Sequence, residues 1–171
     1  MHASAIYQLA YEIIINGEIA EVRQNNTGGA KSLHACKHFS AGETFCTFHA
    51  EAVLPAATYL TIQVEENEHI SLLPEYLRYT NHSCSPNLFF DTSRLIVECI
   101  KSIEPGEELT FFYPSSEWEM AQSFECCCGT SACIGKIQGA AHLSNEVLAH
   151  YRLTHYITRK LKERSSLKIT A

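Results

Sequence analysis

Apolar and polar residues alternate in short runs over most of this chain. Glu18-Ile-Ala-Glu-Val22, Thr44-Phe-Cys-Thr-Phe48, Tyr59-Leu-Thr-Ile-Gln-Val64 and Leu95-Ile-Val-Glu-Cys-Ile100 are rich in β-branched and aromatic residues, the mark of half-buried strands. The segments between them, Asn25-Asn-Thr-Gly-Gly29, Ser40-Ala-Gly42 and Glu104-Pro-Gly-Glu107, carry turn chemistry. Apart from a short turn at Pro74 to Tyr79, no stretch with helical period occurs before Ser144. From there Val147, Leu148, Tyr151, Leu153, Ile157 and Leu161 give a broad apolar face, and Ser144 stands where a helix needs its cap. The pattern predicts a mainly β fold with short helices, ending in a C-terminal α-helix.

Composition narrows this picture. The 171 residues suit one domain, and 46% hydrophobic with 19% charged residues excludes disordered, collagenous and coiled-coil chains. Net charge is −6, unevenly distributed: from Ser144 onward six Lys or Arg face two acids, giving +4, so the first 143 residues carry −10. An acidic body argues against direct binding of a nucleic-acid backbone and suits a basic partner. The basic helix reads first as a docked terminal helix with a solvated face. Met1 to Ile15 lacks a basic start and is interrupted by Glu12, so a secretory signal is not expected. No window reaches the roughly 20 apolar residues of a membrane span, and the expected location is inside the cell, cytoplasmic or nuclear.

Eight cysteines stand out. Cys36, Cys46, Cys84 and Cys99 are dispersed, whereas Cys126, Cys127, Cys128 and Cys133 fall within eight residues. Such a cluster in a chain without a secretory signal suits a metal better than disulfides. Cys126, Cys128 and Cys133, with Gly129 and Gly135 where the chain must bend, supply three thiolates of a tetrahedral zinc set. Cys84, in the polar segment Asn81-His-Ser-Cys-Ser-Pro-Asn87, is the best fourth, with His82 and His142 chemically acceptable. Cys127 points away if both its neighbours are ligands. Four ligands close the coordination sphere, so the zinc is expected to be structural.

Asn81-His-Ser-Cys-Ser-Pro-Asn87, Gly106-Glu-Glu-Leu-Thr-Phe-Phe-Tyr113 and Cys126-x-Cys-Gly-x-x-x-Cys-x-Gly135, in that order, resemble the three signatures of a SET-domain protein lysine methyltransferase with a post-SET zinc loop. The resemblance implies several small β-sheets with a pseudoknot, S-adenosylmethionine as methyl donor, and one zinc held by Cys84, Cys126, Cys128 and Cys133. It also implies a division into an N-terminal strand or extension (1–21), the SET domain (22–114), the zinc loop (115–138) and the basic helix (139–171). Asn81 and His82 would hold the adenine end of the cofactor, with Arg78 and Tyr59 lining its pocket. Ala30-Lys31-Ser32-Leu33 stands where the family has a Gly-x-Gly turn, so Ala30 and Ser32 occupy the glycine positions. Phe112 takes a place that is often acidic or polar. The stretch from Phe48 to Asn81 is short for the insert that reads substrate sequence.

The chemistry requires a neutral lysine although its reference pKa is about 10.4, in line with a sulfonium and shielded from water. Tyr113 is the expected catalytic hydroxyl. Phe111, Trp118 and Phe124 are the expected channel wall, with Phe124 and the zinc loop folding over the cofactor. Where the family carries either Phe or Tyr this chain has Phe111, and the resemblance implies room for more than one methyl group. An extended basic protein or peptide, such as a histone-like or ribosomal tail, is the expected substrate and would add to a strand edge. The alternative is a catalytically inactive SET-like module that uses its zinc loop and helix for docking. A zinc-dependent nucleic-acid module fits poorly with the acidic body, and a zinc hydrolase fits poorly with a filled coordination sphere.

Overall fold

The computed structural model describes residues 11–27 and 29–169. Three strands, β1 (Tyr11–Asn16), β2 (Ala20–Asn25) and β3 (Lys31–Ala35), form an antiparallel sheet in that order. Val22 lies opposite Leu33, and both are fully buried. Ala30 to Leu33, where the resemblance places a Gly-x-Gly turn, leads into β3, and there Leu33 and Ala35 alternate inward and place the strand in the sheet. Strand β4 (Thr44–Thr47) leads into a second sheet, β5 (His49–Leu54), β6 (Thr61–Glu65) and β7 (Glu68–Leu73), in the order β5-β7-β6. A 3-10 turn at Glu75–Tyr79 follows, where a short turn is predicted.

Strands β8 (Asn81–His82), β9 (Leu88–Asp91), β10 (Ile96–Cys99) and β11 (Thr110–Phe111) join β4 in a five-stranded sheet of order β4-β10-β9-β11-β8. Here β11 lies between β8 and β9 and is parallel to both, although those two are consecutive in the chain. The loop joining them arches across β11: Ser83 N–H donates to the Phe111 carbonyl and Asn87 N–H to that of Thr110. The Asn87 side chain closes the crossing by accepting from Thr110 N–H at 2.8 Å and donating to the Glu108 carbonyl at 2.8 Å. This is the threaded arrangement that the motif order implies, and periodicity alone has no means of revealing it.

Hairpin β12 (Phe124–Glu125) and β13 (Lys136–Ile137) closes the base of the cysteine loop. The expected single C-terminal helix is two: α1 (Asn145–Leu148) and α2 (His155–Ile169). Ser144 does cap α1, its hydroxyl accepting from Val147 N–H at 3.3 Å. The helix then breaks because Tyr151 turns aside to stack on Phe112, and Thr154 restarts it by accepting from Ile157 N–H. No Gly or Pro marks this break; a tertiary contact makes it. Among the described residues no helix is long and apolar enough to cross a membrane.

Two cores result. The larger joins all three main sheets around Leu33, Phe39, Phe90, Leu109 and Phe111. The smaller joins Phe112 to Leu148, Tyr156 and Ile157, with Trp118 and Tyr151 at its margin. Basic residues of the tail dock the smaller core onto the body: Arg159 pairs with Glu65, Lys160 with Glu66 at 2.9 Å, and Arg152 with Asp91 at 3.5 Å. Arg164 donates to the carbonyls of Ala140, Ala141 and Leu143 at 3.1–3.4 Å.

Candidate active site and cysteine centre

Alternation along residues 111–113 builds the site. Phe111 turns into the larger core, Phe112 into the smaller, and Tyr113 back toward the side of Phe111. Phe111 and Tyr113 wall a cavity of about 520 Å³ together with Lys31, Tyr59, Ile62, Arg78, Asn81, Glu117 and Phe124. That size falls within the usual range of small-molecule sites. The rings of Phe111 and Tyr113 lie 4.7 Å apart, and Phe124 meets Tyr113 edge-on at 6.0 Å. The Tyr113 hydroxyl donates to the Thr80 carbonyl at 3.1 Å, and burial pushes its pKa upward. It is therefore a neutral hydroxyl at physiological pH, fixed in direction by a backbone acceptor.

Other predicted residues fall around this centre in different ways. The Asn81 amide donates to the Lys31 carbonyl at 3.0 Å and to Glu108 at 2.8 Å, tying the start of β3 to the cavity rim. Arg78 donates to the Leu72 carbonyl at 2.9 Å and pairs with Glu51. Tyr59, 87% exposed, stands at the rim as a free aromatic face. Ala30 and Ser32 do not contribute to the wall. The Ala30 carbonyl accepts from Asn25 N–H, and the Ser32 hydroxyl lies 2.9 Å from His34 Nε2. Leu33 is fully buried in the core, its carbonyl accepting from Leu109 N–H.

His82 also stands behind the wall. Its Nδ1 accepts from the Tyr113 N–H at 3.2 Å, so the proton sits on Nε2, which faces the Cys84 Sγ at 3.3 Å. Burial lowers its pKa to about 4, leaving a neutral ring that links the tyrosine backbone to the cysteine centre. Trp118 corrects the expected channel wall. It packs in the smaller core beneath Lys160 and Arg164, at 5.3 and 5.6 Å from its ring. Gly139, at φ 116°, passes so close that a Cβ there would lie 2.4 Å from the Trp118 carbonyl oxygen.

Sequence reasoning missed two residues here: Glu117, which lines the cavity, and His69, which stands behind it. Glu117 is 6% exposed and accepts from Gln63 N–H on β6 at 2.8 Å. Burial is the main cause that raises its pKa to about 7. His69 on β7 sits 4.0 Å away with an unpartnered, buried Nδ1, and burial lowers its pKa. Nothing local marks either as buried: Glu117 follows two serines, and its backbone partner is 54 residues away.

Cys84, Cys126, Cys128 and Cys133 bring their sulfurs within 4.8 Å of one another, and Cys84 and Cys126 are 3.9 Å apart. A zinc ion with bonds of about 2.3 Å to sulfur sets tetrahedral thiolates about 3.8 Å apart, so the donor set fits that ion in number, chemistry and spacing. Hairpin β12–β13 brings the loop ends together, Cys126 N–H donating to the Gly135 carbonyl at 2.8 Å. Left-handed Gly129 and Gly135, at φ 68° and 76°, make the bends. Cys127 is outside the set and exposed, and His142 is engaged with Glu119 at 2.7 Å.

A family description, SET domain, matches residues 5–114. The chain belongs to the SET-domain family. SET-domain relatives extend the match. It is 39% identical over 133 residues to methyltransferase flvH of Aspergillus flavus, covering 77% of this chain and 72% of that one. Over 53 residues it is 42% identical to histone-lysine N-methyltransferase set9 of Schizosaccharomyces pombe, covering 30% of this chain and only 12% of that protein. In three dimensions it resembles KRYPTONITE, solved with mCHG DNA and SAH, at a TM-score of 0.52 and 21% identity over 73% of this chain and 29% of that one. The likeness concerns the fold.

Proposed function

We propose that this SET-domain chain transfers methyl groups from S-adenosylmethionine to the lysine ε-amine of a basic protein, such as a histone or ribosomal tail. The observation that carries this reading is the convergence of the Tyr113 hydroxyl, the Phe111 and Phe124 rings, and Asn81 on one cavity, closed from behind by His82 and the four-cysteine centre. Bound in this cavity, S-adenosylmethionine supplies an electrophilic methyl group on a positively charged sulfur. Asn81 and the Lys31 backbone hold the adenine end of the ligand, while the Lys31 and Arg78 side chains offer positive charge to its carboxylate. Phe111, Tyr113 and Phe124 exclude water and disfavour a charged amine beside a cation. The Tyr113 hydroxyl, aimed by the Thr80 carbonyl, orients the nitrogen for in-line attack.

Cys84, Cys126, Cys128 and Cys133 would hold a structural zinc that joins the β8–β9 loop to the chain after β12. Flavoured by a net −10 over the first 143 residues, the body attracts a basic peptide. The histone-lysine methyltransferase names of several relatives support that substrate class. Incubation with isotopically labelled S-adenosylmethionine and a panel of core histones and ribosomal proteins, read by mass spectrometry, reports lysine, protein and methyl count. Binding of the cofactor without transfer to any of them would favour the inactive docking module. For Tyr113→Phe the expected outcome is unchanged cofactor affinity by calorimetry with turnover lower by roughly a hundredfold to a thousandfold. Wild-type turnover in that variant would sink the assignment.

A further inference from the structure

Glu117 is the one carboxylate among the described residues that line the cavity, and the proposed mechanism leaves it unused. A buried acid without an ion-pair partner carries a cost in stability. Its pKa is raised in the fold, so the folded state loses stability relative to the unfolded chain as pH rises from the ordinary carboxylate range to about 7. A purely structural role would be served as well by an amide, because the Gln63 N–H needs only an acceptor. The groups facing it are few. Gln63 contributes its N–H from β6, Ser116 its hydroxyl, and His69 its unpartnered Nδ1 from β7. Tyr113 stands close enough for its own ionisation to be opposed by Glu117. Lys31 and Arg78 share the cavity, and neither forms an ion pair with Glu117.

Methyl transfer to lysine releases one proton per turnover, and the amine must lose it before attack. We propose that Glu117 receives the proton of the substrate ammonium; this rests on the lysine methyltransferase reading above. The carboxylate takes one proton from the ammonium and leaves a lone pair on nitrogen. The nitrogen–carbon bond then forms as the carbon–sulfur bond breaks, its electron pair remaining on sulfur. The methylated amine carries the positive charge away, the cofactor product is a neutral thioether, and the proton on Glu117 returns to solvent when the cavity opens. A carboxyl that titrates near neutral pH is matched to this transfer, whereas one at its ordinary value is too weak a base.

The test is a single-turnover pH profile from pH 6 to 9, with labelled S-adenosylmethionine and core histones, alongside calorimetry of cofactor binding. Wild type is expected to rise to a plateau above about pH 7. Glu117→Gln is expected to keep cofactor affinity within about twofold, to melt no lower than wild type at pH 8, and to be slower by roughly a hundredfold at pH 7 with a rate that still climbs to pH 9. Glu117→Asp restores the plateau. Matching profiles for wild type and Glu117→Gln would overturn the proposal, and so would a wild-type profile without an inflection between pH 6 and 8, which decides the matter even if Glu117→Gln fails to fold. Cofactor binding with no methylation of any protein by wild type instead removes the methyltransferase reading, and this proposal with it.

Discussion

Phe111, Phe112 and Tyr113 are consecutive, yet they serve two regions of opposite character. On the Phe112 side everything is matched: its ring stacks on Tyr151 at 3.6 Å with 4° between planes, and the Tyr151 hydroxyl donates to the Cys84 carbonyl at 2.9 Å. On the Phe111 and Tyr113 side, groups are left waiting: Tyr59 is bare, the His69 Nδ1 has no partner, and Glu117 is an acid without a cation. The first region is finished as a structure; the second keeps polar groups that a folded chain does not need for itself. A buried carboxylate without a cation costs stability, and its place on the cavity wall, with the unpartnered His69 Nδ1 behind it, marks that wall as the working surface.

The largest break in this contrast would come from the cysteine centre, which touches both regions through Cys84. Stripping the metal with a chelator, or replacing Cys126 with Ser, is expected to abolish methyl transfer and to loosen the segment from Phe124 to the end of the described chain. Structural zinc contributes on the order of 10 kcal/mol to folding in small domains, so the effect should exceed that of any single side chain in the cores. Metal analysis, hydrogen exchange of the C-terminal segment and activity are measured together. Full activity in protein shown to be free of zinc would sever the link between the two regions.

Next in size is Phe112→Ala. Truncating a buried aromatic costs about 3–5 kcal/mol, and a chain of this length loses about 2–4 °C of melting temperature per kcal/mol, so a fall on the order of 10 °C is expected. Cofactor affinity should change little, because Phe112 faces away from the cavity. A loss of affinity greater than about tenfold, measured by calorimetry below the melting transition, would mean that the two faces are not separable.

Much of this was legible in the residues, for reasons that differ by region. The cysteine centre is readable because three of its four cysteines lie within eight residues and thiolate chemistry restricts what such spacing can mean. Strands at Thr44 and Leu95 are readable because one of their faces is buried and alternation records it. Strand β5 is not, since nearly all of it is exposed and no alternation is imposed. The sequence does not show that the turn after β11 carries Trp118 away from the expected channel wall and against the smaller core. Phe112 looked like a departure from its family where an acid is often found; the structure gives it a purpose, as the platform on which the C-terminal segment docks. Glu117 and His69 were invisible because burial of a polar residue is a property of what folds over it.

The smallest effects concern the basic tail, where two cations of the same sequence segment should behave differently. Lys160 pairs with Glu66 at 2.9 Å, and the acid is 58% exposed, so water and salt compete for both charges. Its replacement by Ala is expected to cost less than about 1 kcal/mol and to cost nothing measurable in high salt. Arg164 instead donates to three carbonyls of the turn over Ala140 to Leu143, on the part-buried side of α2. Arg164→Ala would remove the donor they share, although the Ala140 carbonyl keeps the Leu143 N–H, at about 1–3 kcal/mol, with little dependence on salt because a carbonyl has no net charge to screen. Melting both variants at low and high salt separates a solvated ion pair from a structural clamp. Equal, salt-sensitive losses would mean that the tail is held by charge alone, and that the matched side of Phe112 owes less to its hydrogen bonds than the geometry indicates.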